Sequence, residues 1–312
     1  MNLSTLANNY ITQQRQLGYK LTSEARCIID FAQYCEARDT NHPFTIEVAV
    51  EWASLAPSGS SIAIARRFGV LRPFSRYLNQ HAFSSLVLPT HYLGPTHRRL
   101  PPYIYSAAEV KRLMMAADNL IPTDGLRPHT IRTLIGLLIS CGIRPGEAVR
   151  LKCTDVDLDE NLLTISNSKG WYQRIVPIAA STADELGKYR LGRIATNPLD
   201  TTGAFFEFDN HQALNIRSAN HAFKVLRETT GITSTLNGRL PRLYDLRHTF
   251  VCQRVLQWYK DDEDINTKVT QLSRYLGHKK ASDTYWYITA IPELMSIAAQ
   301  KFAKYSNNGG EL

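Results

Sequence analysis

The run Leu93-Gly94-Pro95-Thr96-His97-Arg98-Arg99-Leu100-Pro101-Pro102-Tyr103-Ile104-Tyr105 divides this chain. Its three prolines remove backbone donors and, with the glycine, break helical periodicity, so no single regular element can cross it. Any fold must therefore be assembled as two bodies. The reading is a first domain over residues 1–92, a semi-extended linker over 93–105, a second domain over 106–291, and a terminal helix with its tail over 292–312. A chain of 312 residues that is 44% hydrophobic carries enough apolar surface for two cores.

Before the break the apolar residues follow helical spacing throughout. Leu3, Leu6, Tyr10 and Leu17 predict a first helix stopped by Gly18, and Thr22 or Ser23 is placed to cap a second one running to about Arg38. A third is expected from Thr45 to Ser54, and a fourth from about Ser60 to Gln80 with Pro73 as a kink. No strand pattern occurs, so a small helical bundle is expected. On the fourth helix Arg66, Arg72 and Arg76 fall opposite the apolar face of Ile64, Phe68, Leu71 and Leu78. They are either a solvated face or phosphate contacts, and a net charge of +4 over residues 1–100 is compatible with both. His97, Arg98 and Arg99 add positive charge to the linker.

After the break, Ser106 is placed to cap a helix through Met114. A strongly apolar helix runs from about Pro128 to Gly142, and Pro145 suits the first turn of the next. Leu162–Ile165 and Gln173–Pro177 read as two strands around a turn that holds Lys169. Helices follow from about Ser181, from Asn215 to Thr229, from Tyr244 to Tyr259, and from Asp264 to a stop at Gly277. A short one holds Tyr285 and Tyr287. The last, with Leu294, Ile297, Ala298 and Phe302, is amphipathic. The fold class is mainly α with a small β-hairpin or sheet.

Several function classes are excluded by composition. Five scattered cysteines form no C-x-x-C pair, and nine histidines show no metal-binding spacing, so no metal or cofactor is expected. No run approaches the length of a membrane span and no leader pattern opens the chain, so a cytoplasmic protein is expected. A formal charge of +8 is compatible with an anionic partner and equally with a basic but otherwise ordinary enzyme.

What remains is a set of residues suited to a phosphodiester. Breaking that bond without a metal needs positive donors on the non-bridging oxygens, a nucleophile, and a proton for the leaving oxygen. Arginine forks suit the first task, tyrosine the second, and lysine or histidine the third. The chain presents them in order. Ser140-Cys141-Gly142-Ile143-Arg144-Pro145-Gly146-Glu147 comes first. Ser168-Lys169-Gly170, trailed by Arg174-Ile175-Val176-Pro177, comes second. Tyr244-Asp245-Leu246-Arg247-His248 and Leu276-Gly277-His278, with Tyr287 nine residues on, complete the set. Taken alone, Arg144 reads equally as a cap or a partner of Glu147, and Lys169 as an exposed turn residue.

Together the four motifs resemble the tyrosine recombinase, or phage integrase, family. The resemblance implies a SAM-like helical core-binding domain followed by an α+β catalytic domain, closed around DNA as a C-shaped clamp. It implies that Arg144 and Arg247 hold the scissile phosphate and that His278 hydrogen-bonds it. Lys169 would protonate the leaving 5′ oxygen, and Tyr287 would form a 3′-phosphotyrosyl bond, with Tyr285 turned to packing. Glu147 would support the arginine, and His248 would lie behind the site. Tyr244 stands where the family has histidine, and a phenol is a poor base. Arg66, Arg72, Arg76, Arg98, Arg99 and Arg242 are the expected DNA contacts. The implied partner is duplex DNA with paired half-sites, bound by a homotetramer that is a monomer or weak dimer when free, with accessory proteins as a possible addition and no membrane. The implied activity is site-specific recombination of a mobile element or replicon near the bacterial nucleoid. The alternatives are relaxation of DNA by a type IB topoisomerase and DNA binding by a catalytically impaired relative.

Overall fold

A computed structural model of the chain describes residues 2–38, 45–81, 87–97, 101–123, 125–166, 173–196, 203–209, 212–233, 239–278, 280 and 282–288. The chain forms two compact units, Met1–Leu100 and Pro101–Leu312.

The first unit consists of helices α1 (Leu3–Gln16), α2 (Thr22–Glu36), α3 (Ile46–Ser54) and α4 (Ser61–Gln80). Capping follows local chemistry at three of the four starts: the side chains of Asn2, Thr45 and Ser60 each accept a backbone N–H from the first turn. The fourth start departs from expectation. Leu21, in a left-handed conformation with no side-chain cap, precedes Thr22, so neither Thr22 nor Ser23 is the capping residue. Phe31, Trp52, Phe68, Leu71 and Phe74 fill a core that all four helices share. Leu17 is a second departure. It lies past the end of α1 and is 66% exposed, because Ala7 and Ile11 complete the buried face in its place. Pro73 lies inside α4 as expected. Arg66 and Arg76 are exposed, whereas Arg72 is half-buried and donates from Nε to the Leu88 carbonyl at 3.1 Å.

The second unit is organised around α6 (Leu126–Cys141), which is buried on most of its circumference. It packs against α5 (Ala107–Ala117), α8 (Ala180–Thr196), α9 (Ile216–Thr229) and α10 (Asp245–Lys260). Ser106 and Glu109 form a reciprocal capping box at the start of α5. Between α6 and α8 come the one-turn helix α7 (Pro145–Ala148) and strands β1 (Val156–Asp157), β2 (Leu162–Ile165) and β3 (Arg174–Pro177). The three strands make an antiparallel sheet in sequence order, with Ile165 opposite Arg174 beside the connection that carries Lys169. After α10 come α11 (Ile265–Leu276) and the short α12 (Ser282–Ile288), which packs on both α10 and α11. Cys141 and Cys252 are buried core residues. The amphipathic segment after Pro292 lies outside the described residues. Among the described residues no helix is long and apolar enough to cross a membrane, and no cluster of three potential metal ligands occurs.

Tyr105 ties the start of this unit to its centre. It is buried, its N–H donates to Thr249 Oγ1 on α10, and its hydroxyl donates to the Arg242 carbonyl.

Gly142 closes α6 in the left-handed region at φ +62°, and a Cβ there would lie 2.2 Å from the ring of Phe250 on α10. Gly142→Ala therefore combines backbone strain with a clash against a buried ring. It should lower the unfolding free energy by about 2 kcal/mol or more in urea titrations. A loss within error of zero would show that the ring yields freely.

Candidate active site

Four sequence-distant elements meet at one point in the second unit. The first is the junction of α6 and α7. Gly142 turns the chain out of α6, and Arg144 takes an extended conformation just before Pro145 at the first position of α7. Its backbone N–H donates to Glu147 Oε2 at 3.0 Å and its Nη1 to Glu147 Oε1 at 2.8 Å. Its Nη2 reaches the Gly277 carbonyl at 3.2 Å. About a third of the Arg144 side chain is exposed.

Glu147 is the anionic centre of the cluster, with a side chain only 2% exposed. Besides Arg144 it accepts two bonds from Arg174 on β3, Nη1 to Oε1 at 3.1 Å and Nη2 to Oε2 at 2.7 Å. Burial alone would raise the Glu147 pKa. Hydrogen bonds and charge from Arg174, then from Arg144, overcome it and hold the carboxyl at about 2. Arg174 also donates from Nε to the Tyr275 carbonyl at 3.0 Å, next to Gly277. Gly277 ends α11 at φ +66°, and a Cβ on it would press on the Arg174 guanidinium at 3.0 Å.

Arg247 comes from α10 and is fully buried. Its Nη1 donates to the Gly142 carbonyl at 2.7 Å, and its Nη2 to the Leu276 carbonyl at 2.9 Å. The same Nη2 lies 2.9 Å from His278 Nε2. His278 follows the Gly277 stop, and its Nδ1 lies 2.7 Å from Thr284 Oγ1 on α12. Burial, then the cations Arg247 and Arg144, lower the His278 pKa to about 4, so the imidazole is neutral at pH 7. Thus Arg144, Arg247 and His278 are brought together as expected. Arg174 and Thr284 join them although sequence reasoning gave neither a role. Arg174 was visible only as the trailing residue of a motif, and Thr284 carried no signal of its own.

Tyr244 precedes α10, and its ring meets the His248 ring edge-on at 5.1 Å. Burial opposes the Arg144 charge; Glu147 and then Tyr244 more than offset it, so the pKa is raised. His248, one residue after Arg247, is buried. Burial and then Arg242, Arg247 and His278 lower its pKa to about 3. Its 3.7 Å approach to Asp245 is accordingly not an ion pair at neutral pH. Arg242 is tied to Asp245 through its backbone N–H at 2.8 Å and its Nη2 at 2.9 Å, so its charge is partly answered within the unit.

Tyr287 belongs to the last turn of α12, while its side chain lies outside the described residues, as do Lys169, Arg98 and Arg99. Tyr285 differs from the packing role expected of it. It is 38% exposed and its hydroxyl donates to Asn266 Oδ1 at 3.2 Å, because α12 turns this face toward α11 and solvent. Arg66 of the first unit donates to the Thr96 carbonyl at 3.3 Å.

The two depressed histidines make stability pH-dependent. Both have folded pKa values below the ordinary 6.5, so between that value and about 4 the unfolded chain binds more protons and stability falls as pH is lowered. For the nearly buried His248 the slope is at most about 1.4 kcal/mol per pH unit. Glu147 adds its own loss only below the ordinary carboxyl value of 4.5. Urea unfolding at pH 7, 6 and 5 should show a steady decline that His248→Gln flattens. A pH-independent midpoint in the wild type would contradict these assignments.

Comparison with known proteins gives this geometry a context. The model of the phage integrase family matches residues 105–293. The integrase/recombinase y4rB of Sinorhizobium fredii (strain NBRC 101917 / NGR234) is 34% identical over 299 residues, 95% of this chain and 95% of its own length. Two solved structures share the fold. The XerH site-specific recombinase bound to palindromic difH substrate, a post-cleavage complex, has a TM-score of 0.65 at 17% identity, covering 96% of this chain and 85% of that one. A lambda integrase tetramer bound to a Holliday junction has a TM-score of 0.60 at 14% identity, covering 90% and 78%. Neither the topoisomerase reading nor the impaired-relative reading is favoured by these matches. With the family model covering more than half of the chain and a relative one-third identical along nearly all of it, the chain belongs to the phage integrase family and is a site-specific tyrosine recombinase.

Proposed function

We propose that the cluster around Glu147 is the phosphate pocket of a DNA strand transferase, with Tyr287 as its nucleophile. The observation that carries this reading is the hydrogen-bonded convergence of Arg144, Arg247 and His278 beside the helix that holds Tyr287. Two guanidinium groups and an imidazole suit the non-bridging oxygens of a phosphodiester, where charge grows in the transition state. In this reading the scissile phosphate takes the place of the Arg247–His278 hydrogen bond, so Arg247 turns its Nη2 to one oxygen and His278 turns Nε2 to another. Arg144 reaches the same group from its exposed side.

The Tyr287 phenol loses its proton to solvent as its oxygen attacks phosphorus, and the 5′ oxygen leaves with a proton from Lys169. A 3′-phosphotyrosyl bond conserves the energy of the phosphodiester, and attack by another 5′ hydroxyl reverses the step on a new strand. Tyr244, in place of histidine, supplies a hydrogen bond near Arg144 and little basicity. Recombination then requires duplex DNA with paired half-sites and a homotetramer assembled on it, consistent with the DNA-bound XerH and lambda integrase structures. Arg66 and Arg76 on α4, with Arg98 and Arg99 in the linker, supply phosphate contacts from the first unit, while Arg72 and Arg242 contribute less because each is engaged internally. The enzyme works in the cytoplasm at the nucleoid, on the ends of a mobile element or replicon.

Tyr287→Phe should retain DNA binding and yield no covalent protein–DNA adduct on a nicked suicide duplex, whereas Tyr285→Phe should still form it. Adduct lost in Tyr285→Phe alone would move the nucleophile by two residues. Lys169 is tested by chemistry at the leaving group. A substrate with a 5′-bridging phosphorothiolate expels a thiolate that needs no proton, so it should restore cleavage by Lys169→Ala. A mutant left equally slow on that substrate would not be missing a general acid.

A further inference from the structure

Thr284 is fully buried, yet it is polar and sits on a helix of only seven residues. Its Oγ1 meets His278 Nδ1 at 2.7 Å while the other ring nitrogen faces Arg247 at 2.9 Å. A guanidinium only donates, so Nε2 must accept in this arrangement. In the neutral imidazole the ring hydrogen is then on Nδ1, and Nδ1 donates to Thr284. The hydrogen-bond chain runs Arg247, His278, Thr284, and Thr284 stands three residues before Tyr287. At that spacing the two residues are neighbours on one helix face.

We infer that Thr284 is a positioning residue that fixes the orientation of His278 by pairing the Nδ1 that Arg247 leaves protonated and, through the same bond, locks the helix of the nucleophile onto the phosphate pocket. The inference rests on the assignment of Tyr287 and the phosphate pocket made above. A hydroxyl is suited to this place because it both accepts and donates. Without DNA it accepts from Nδ1–H. When a phosphate oxygen, which only accepts, replaces Arg247 at Nε2, the ring hydrogen must be on Nε2, and Thr284 Oγ1–H then donates to Nδ1. The ring exchanges one tautomer for the other with no net gain of a proton. A methyl group in place of the hydroxyl supports neither state. Valine keeps the shape of threonine and removes only the hydrogen bond, whereas serine keeps the bond and removes a methyl.

The test uses the full chain with nitrogen-15-labelled histidine, and Thr284→Val and Thr284→Ser beside the wild type. In long-range nitrogen–proton spectra of DNA-free protein, the His278 ring (assigned with His278→Gln) should show a single Nδ1–H tautomer in the wild type and Thr284→Ser. Thr284→Val should keep that tautomer, because Arg247 still holds Nε2, but its Nδ1–H, left without an acceptor, should move upfield and exchange faster with water. Cleavage is read as covalent adduct on a nicked suicide duplex, its site selected from a random-sequence library by the wild type. Thr284→Val should be about 10- to 100-fold slower and Thr284→Ser within about threefold, the range expected when one buried hydrogen bond is lost or kept. An Nδ1–H resonance and exchange rate unchanged in Thr284→Val, a wild-type rate in Thr284→Val, or a Thr284→Ser as slow as Thr284→Val would each overturn the positioning role. In all three cases the wild-type adduct stands, and with it the pocket. A wild type that forms no adduct at Tyr287 overturns the pocket assignment, and the coupling to the nucleophile with it.

Discussion

A single buried carboxylate makes the arrangement around Arg144 possible. Three guanidinium groups, those of Arg144, Arg174 and Arg247, are gathered where α7, β3 and α10 meet, and without an anion among them their mutual repulsion would push the elements apart. Glu147 answers two of the three directly, with four side-chain and backbone bonds shared between Arg144 and Arg174. Such a group is costly to bury alone and stable only when every lone pair is used. Its depressed pKa expresses that balance, since the arginines stabilise the ionised form more than burial destabilises it. Because Arg174 belongs to β3, the same carboxylate also fixes the strand that follows Lys169.

The third guanidinium is neutralised differently. Arg247 has the ends of two helices as its partners: the Gly142 carbonyl beyond α6 and the Leu276 carbonyl at the end of α11. Carbonyls at a helix C-terminus lack intrahelical partners and carry the negative end of the helix dipole, so a buried cation there satisfies both needs. Two left-handed glycines, Gly142 and Gly277, turn the chain away and leave those carbonyls open. Any side chain at Gly142 would strike Phe250, and one at Gly277 would press on Arg174. The glycines thus serve as helix stops and as clearances for the groups packed over them.

These two devices have a functional consequence. Arg247 is held by fixed carbonyls and a neutral imidazole, and in the proposed reading a phosphate takes the place of the imidazole. The backbone partners remain, and little reorganisation is needed as charge develops, which is the requirement for electrostatic stabilisation of a transition state. His278 in turn contacts α12 through Thr284, so the proposed pocket and the helix that carries Tyr287 are joined by one chain of bonds.

Much of this was legible in the sequence because it depends on local rules. Ser60, Ser106, Asn215 and Asp264 cap helices where a short polar side chain precedes an apolar period, and Gly142 and Gly277 end them where left-handed backbone is required. The paired strands and the motifs around Arg144, Arg247 and His278 are equally local, and their order along the chain pointed to the family. Tertiary structure decided the side-chain contacts between distant elements. Arg174 looked like the end of a strand until β3 packed beside Glu147. Thr284 was one threonine among many until α12 lay across α11. Tyr285 met Asn266 on α11, 19 positions away. A sequence states backbone preference and periodicity within a few residues, whereas the partner of a buried charge 27 or 31 positions away is chosen by how whole elements pack.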